Sequence, residues 1–127
     1  MRLVTIDGPC SMCRRAAVVT ERGLVDVFKL WPKGPRRVID LLRDGKLDEL
    51  RAMDLASVRP DAILPPDTPL YAPVDRPGKI VALGLNSRAH CAENDKPVPT
   101  VPILFAKAVT ALTGPCKFIR IPGGTSQ

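Results

Sequence analysis

Aromatic side chains are scarce in this chain: one tryptophan, one tyrosine and three phenylalanines among 127 residues. Single-stranded nucleic-acid surfaces stack bases on such rings, so there is little material here to build one. No apolar run approaches the roughly 18 residues that a bilayer-spanning helix needs, so no membrane association is expected. The Met1–Ile6 stretch is short, is interrupted by Asp7 and has no small-residue cleavage region after it, so no secretory signal is expected. Histidine occurs once, at His90, and glutamate three times, at Glu21, Glu49 and Glu93, with no Glu-x-Glu pair. Gly84 and Gly114 stand singly and support no phosphate loop.

What is present suits a folded, soluble protein. Apolar residues make up 45% of the chain, enough to bury a core, and the length fits one domain or one small domain plus an incomplete second. Fourteen prolines favour short elements joined by rigid turns. The net charge is +6, but the positive residues are dispersed. Their densest group, Lys29, Lys33, Arg36 and Arg37, reads as a solvated basic face or a site for an anionic small molecule before it reads as a nucleic-acid surface. Four cysteines without an export signal are expected to be reduced thiols in a cytoplasmic protein. Cys10-Ser-Met-Cys13 lacks the second close pair of a zinc site, and no thioredoxin-like strand–C-x-x-C–helix pattern accompanies it, which leaves two turn cysteines. Cys91 and Cys116 stand far away in sequence.

Along the chain, residues 2–6 read as a strand, with a turn at Asp7-Gly8-Pro9. Residues 16–21 and 24–28 read as two more, with Arg22-Gly23 as a hairpin turn. Pro35 opens a helical stretch whose Val38, Leu41 and Leu42 have i, i+3, i+4 spacing, and Gly45 ends it. Residues 47–53 add a helical turn or two. Six prolines between Arg59 and Pro77 then mark an extended connector holding one edge strand, residues 69–74. Beyond it, residues 79–85 form a continuous apolar run that predicts a buried strand, Asn86 a helix N-cap and residues 87–94 a short helix. Residues 101–107 and 118–121 are further strand candidates, before a loop at Gly123-Gly124.

On the predicted helix, His90 and Glu93 are three residues apart and share a face. An imidazole oriented by a carboxylate is a sensible general base, although such a pair is equally well a surface contact. The surroundings add to the spacing. The segment Arg76-Pro-Gly-Lys-Ile-Val-Ala-Leu-Gly-Leu-Asn-Ser-Arg-Ala-His-Cys-Ala-Glu93 is followed by Pro97-Val-Pro99, Pro102-Ile-Leu-Phe-Ala-Lys107, Ala111-Leu-Thr-Gly-Pro115 and Ile119-Arg-Ile-Pro122. In order and spacing these resemble the fumarylacetoacetate hydrolase family, where a strand leads to a helix carrying His-x-x-Glu and then to a Pro-x-Leu-Phe-x-Lys strand. Residues 1–75 resemble, more loosely, the variable N-terminal module of bacterial members.

The resemblance implies an α+β fold. A small N-terminal α/β module, residues 1–75, would precede the opening part of a mixed β-roll, residues 76–127, which is incomplete here. It implies a hydrolase, decarboxylase or isomerase acting on carbon–carbon bonds of 2-oxo or 1,3-dicarbonyl acids, acylpyruvates among them. His90 and Glu93 match the family's catalytic dyad, and Lys107, Asn86 and Arg88 fall where an anionic keto acid would bind. A divalent metal, Mg2+ or Mn2+, would polarise the keto-acid oxygens. Its carboxylate ligands belong to a Glu-x-Glu strand that this chain does not contain. Ser87, Ala89, Ala106 and Ala108 also depart from the family's usual residues around the dyad and the lysine. Open sheet edges imply a homodimer or a complementing chain as partner. The alternative is a non-catalytic dimerisation or small-anion-binding module derived from that family.

Overall fold

The computed structural model describes residues 1–10, 13–115, 117–121 and 123. These form two compact units, Met1–Asp75 with Thr113–Gln127 and Arg76–Leu112. The fold is α+β, with antiparallel sheets and short helices.

The first unit is built on a four-stranded sheet of order β3-β2-β1-β4. Strand β1 (Arg2–Asp7) pairs antiparallel with β2 (Arg14–Thr20) in the register Arg2↔Val19 to Asp7↔Arg14. A two-residue loop, Glu21-Arg22, joins β2 to β3 (Gly23–Asp26). Thr20 Oγ1 fastens the loop, accepting from the Arg22 amide at 3.2 Å and donating to the Gly23 carbonyl at 2.8 Å. Gly23 itself takes φ +115°, where a side chain would be strained.

The third strand is shorter than the sequence predicts. Val27 and Phe28 begin helix α1 (Val27–Leu30), because the Asp26 carboxylate accepts the Phe28 amide hydrogen at 3.0 Å and caps a helical turn. Asp26 is fully buried, and its second oxygen lies 3.0 Å from Arg15 Nη1, an ion pair without good hydrogen-bond alignment.

Helix α2 (Val38–Arg43) and helix α3 (Leu47–Arg51) supply the apolar cover. Val38, Leu41 and Leu50 are buried against Ala16 and Val18 of β2 and Val27 of α1, with Leu3, Leu30 and Trp31 at the margin. Between the helices the Lys46 amide donates to Leu41 O (2.9 Å) and the Gly45 amide to Leu42 O (3.3 Å), with Gly45 at φ +64°. That is the Schellman stop, and it explains why Gly45 ends the helix.

The proline-rich connector runs along the β3 edge. Leu64 donates its amide to Leu24 O at 2.8 Å, Ile63 bridges to Val25, and a 3-10 turn covers Pro60–Ala62. Strand β4 (Leu70–Tyr71) then closes the opposite edge, pairing Thr5↔Tyr71 and Ile6↔Leu70. Thr5, fully buried, donates its hydroxyl to Pro73 O at 2.7 Å.

The cysteines depart from expectation. Cys10 and Cys13 form a disulfide rather than two free thiols. The Cys13 amide donates to Cys10 O and the Gly8 amide to Cys13 O, both at 2.9 Å, and the two cysteine Cα atoms stand 5.1 Å apart, within bridging range. Cys116 lies outside the described residues.

The second unit is a two-stranded antiparallel ladder, β5 (Ile80–Gly84) with β6 (Ile103–Lys107), in the register Ile80↔Lys107 to Gly84↔Ile103. Between the strands lies helix α4 (Arg88–Glu93). Contrary to the apolar run, β5 is not a buried strand: Val81 and Leu83 point outward while Ile80, Ala82 and Gly84 are half covered. Among the described residues the ladder has two strands only, so each keeps an unpaired outer edge, and every residue of β6 is exposed. Residues 118–121 carry no strand, and Phe118, Ile119 and Ile121 are exposed; apolar residues with no neighbouring strand to pair with form no ladder.

Candidate functional site

Helix α4 begins where β5 ends. Leu85 takes φ +49°, a left-handed turn that reverses the chain after Gly84. Ser87 is the N-cap, in place of the expected Asn86, because its extended backbone (φ −137°, ψ 133°) is the last non-helical residue; no side chain caps the first turn. Cys91 is the one buried residue of the helix, its Sγ 3.5 Å from Leu85 O. A helix anchored through Cys91 turns its neighbours outward.

His90 and Glu93 occupy that outward face, with Nδ1 and Oε2 3.5 Å apart. Both are well exposed, so as a static contact the pair contributes only a few tenths of a kcal/mol. Asn94, which the sequence reading did not single out, completes the cluster: its side-chain amide donates to His90 O at 2.8 Å and lies 3.3 Å from Nδ1. Its i+4 spacing from His90 was the available signal. When Nδ1–H is donated to Glu93, Nε2 is the basic nitrogen left to act; an amide hydrogen donated from Asn94 to Nδ1 instead puts the ring proton on Nε2.

Asn86 and Arg88 line a separate concavity of about 380 Å3 between the β5–α4 turn and residues 98–103, with Leu83, Pro99, Thr100 and Pro102 in its wall. His90, Glu93 and Lys107 are not among its lining residues. Lys107 ends β6 opposite Ile80, its Nζ 5.9 Å from the centre of the Phe105 ring. The five sequence-predicted residues therefore fall into three places: the His90–Glu93 pair, the Asn86–Arg88 wall, and Lys107 on its strand. Among the described residues no group of three or more His, Cys, Asp or Glu side chains converges to hold a metal ion.

No family model matches the chain. Over 101 residues it is 34% identical to the mitochondrial oxaloacetate tautomerase FAHD2A of Bos taurus, covering 79% of this chain and 32% of that protein. Over 124 residues it is 31% identical to the mitochondrial oxaloacetate tautomerase fahd2 of Xenopus laevis, covering 96% of this chain and 39% of that one. The crystal structure of an HpcE protein from Mycobacterium smegmatis superimposes with a TM-score of 0.74 at 30% identity, over 98% of this chain and 42% of that one. The chain belongs to the fumarylacetoacetate hydrolase family.

It spans about a third to two fifths of the relatives it matches. The Mg2+ or Mn2+ that membership of the fumarylacetoacetate hydrolase family implies does not fit the residues described here, which offer no convergent carboxylate set. The dyad and the Asn86–Arg88 wall are the chemistry that remains. No helix among the described residues is long and apolar enough to cross a membrane.

Proposed function

We propose that this chain supplies the proton-transfer side of an enzyme acting on 2-oxo acids, with oxaloacetate tautomerisation as the reaction. The observation that carries it is the His90–Glu93 pair at 3.5 Å on a helix within a region alignable to oxaloacetate tautomerases. Keto–enol conversion moves one proton: the enol hydroxyl loses it and the adjacent carbon gains one. An imidazole whose Nδ1–H is donated to Glu93 presents Nε2 as the base, takes the hydroxyl proton and returns a proton to carbon as imidazolium. Glu93 orients the ring and stabilises its charged form. Lys107, Asn86 and Arg88 suit an anionic keto acid through positive charge and amide donors. Hydrolysis or decarboxylation of related 2-oxo acids would use the same dyad. The electrophilic carboxylate-bound metal site would come from polypeptide other than the residues described, because a second copy of them brings no further carboxylate pair.

The test joins residues 1–127 in frame to the part of the Xenopus laevis relative that follows its matched region. Decay of the oxaloacetate enol absorbance is then followed with Mn2+. Conversion that falls about 10²- to 10⁴-fold in His90→Ala supports the dyad. Equal rates in the two proteins would remove His90 from the reaction, and a folded fusion that binds oxaloacetate without turnover would favour an anion-binding module.

A further inference from the structure

A second concavity, of about 390 Å3, lies wholly within the first unit and is unrelated to the dyad. Four arginines line it: Arg14 and Arg15 at the start of β2, and Arg36 and Arg37 just before α2. We propose that it binds a small organic monocarboxylate with an apolar body.

Three of the guanidiniums face carboxylates of the protein. Arg14 Nη1 lies 2.6 Å from Asp7 Oδ1, Arg15 Nη1 3.0 Å from Asp26 Oδ2, and Arg37 grips Asp40 with Nε and Nη2 at 2.9 and 2.8 Å. This last bond holds the Asp40 carboxyl below the ordinary carboxylate value, so it stays ionised and bound to arginine. Arg36 differs: its guanidinium carbon lies 4.6 Å from the centre of the Phe28 ring, and no acidic side chain lies within ion-pair distance of it among the described residues. Its backbone is not loose, because Arg36 O accepts the Ala16 amide hydrogen at 2.7 Å and so ties the residue to β2.

Arg36 is therefore the cation of this wall with no carboxylate partner among the described residues, beside an aromatic ring, while Arg43 shares Asp40 with Arg37. A planar guanidinium fork matches a planar carboxylate. Asp40 in the wall repels a second negative charge, which disfavours a phosphate ester. The Phe28 ring gives the ligand body an apolar surface, and the volume lies in the range of small-molecule sites. The basic group that the sequence shows at residues 29–37 thus divides, with Arg36 and Arg37 at the cavity.

Calorimetric titration of the whole 127-residue chain with benzoate, benzamide and phenyl phosphate tests the assignment. Saturable benzoate binding is expected, with benzamide at least about tenfold weaker for want of the charge-assisted bonds. Arg36→Ala and Arg36→Gln, both at an exposed position, should each weaken benzoate about tenfold or more while melting as the parent does. His90→Ala and Lys107→Ala should leave benzoate binding unchanged. In the parent protein, magnetisation transfer from benzoate protons to the Phe28 ring should locate the ligand without any variant. The proposal is overturned by equal affinity for benzoate and benzamide, by tighter binding of phenyl phosphate, by loss of binding in Lys107→Ala but not Arg36→Ala, or by no transfer to Phe28.

Discussion

Tyr71 is the only tyrosine of the chain, and its hydroxyl donates to Asp7 Oδ2 at 2.6 Å while Arg14 stacks 3.7 Å above its ring. The hydrogen bond to Asp7, helped by partial desolvation and by the carboxylate charge, pushes the phenol above its ordinary value of 10.0. A group with a raised folded value contributes stability that is fully present below the unfolded value and is lost as pH rises through the folded one. Absorbance at 295 nm should therefore show phenolate forming with a midpoint above 10, and Asp7→Asn should move the midpoint down. An unchanged or higher midpoint in Asp7→Asn would sever that link. The contact was not legible in the sequence, because Asp7 and Tyr71 lie 64 positions apart and only β1–β4 pairing brings them together. The His90–Glu93 proximity was legible, because helical spacing is local; the Asn94 contribution lay one residue beyond the motif.

At the scale of elements, helix α2 buries Val38 and Leu41 of its expected apolar spacing but not Leu42. Leu41 is fully buried in the core against β2, whereas Leu42, next to it, is half exposed. Leu41→Ala should cost about 2–5 kcal/mol in denaturant unfolding, and Leu42→Ala less than about 1 kcal/mol. Similar costs at both positions would mean the helix packs on a different face. The capping glycine and the presence of a hairpin were readable because their signals are turn chemistry within a few residues, but the two-residue loop is Glu21-Arg22 and not the expected Arg22-Gly23, since Gly23 pairs with Thr20. The role of Asp26 was not: it lies inside the run 24–28 that reads as one strand, and only its hydrogen bond to Phe28 N reveals a helix start. Strand β5 was misjudged for a different reason. An uninterrupted apolar run reads as buried on both faces, but β6 is its one partner in the described ladder.

For the molecule as a whole, the two units differ in how much of their apolar surface they cover. The first keeps its buried residues in clusters around α2, α3 and the sheet, while Val81, Leu83, Ile103, Leu104 and Phe105 of the second remain exposed. The α+β class and the family were both legible from the segment 76–122, where several short motifs recur in order. Whether His, Cys, Asp and Glu side chains converge was not legible, because the fold decides it; among the described residues no three do. The chain covers about two fifths of the solved relative.

Strand β4 bears on the order in which the first unit assembles. The β1–β2–β3 meander closes loops of only a few residues, but the Thr5↔Tyr71 pairing closes a loop of 66 positions and is held by two residue pairs. Loop-closure entropy makes such a long-range pairing late to form and early to open. Native-state deuterium uptake should therefore reach the β4 amides before those of β2, through an opening that leaves the helix-covered meander intact. Uniform protection across all four strands would show instead that the sheet opens only as one cooperative body. If β4 does part first, the buried Thr5 hydroxyl loses Pro73 in the same event, and the segment leading out of the first unit becomes a tether of changeable length.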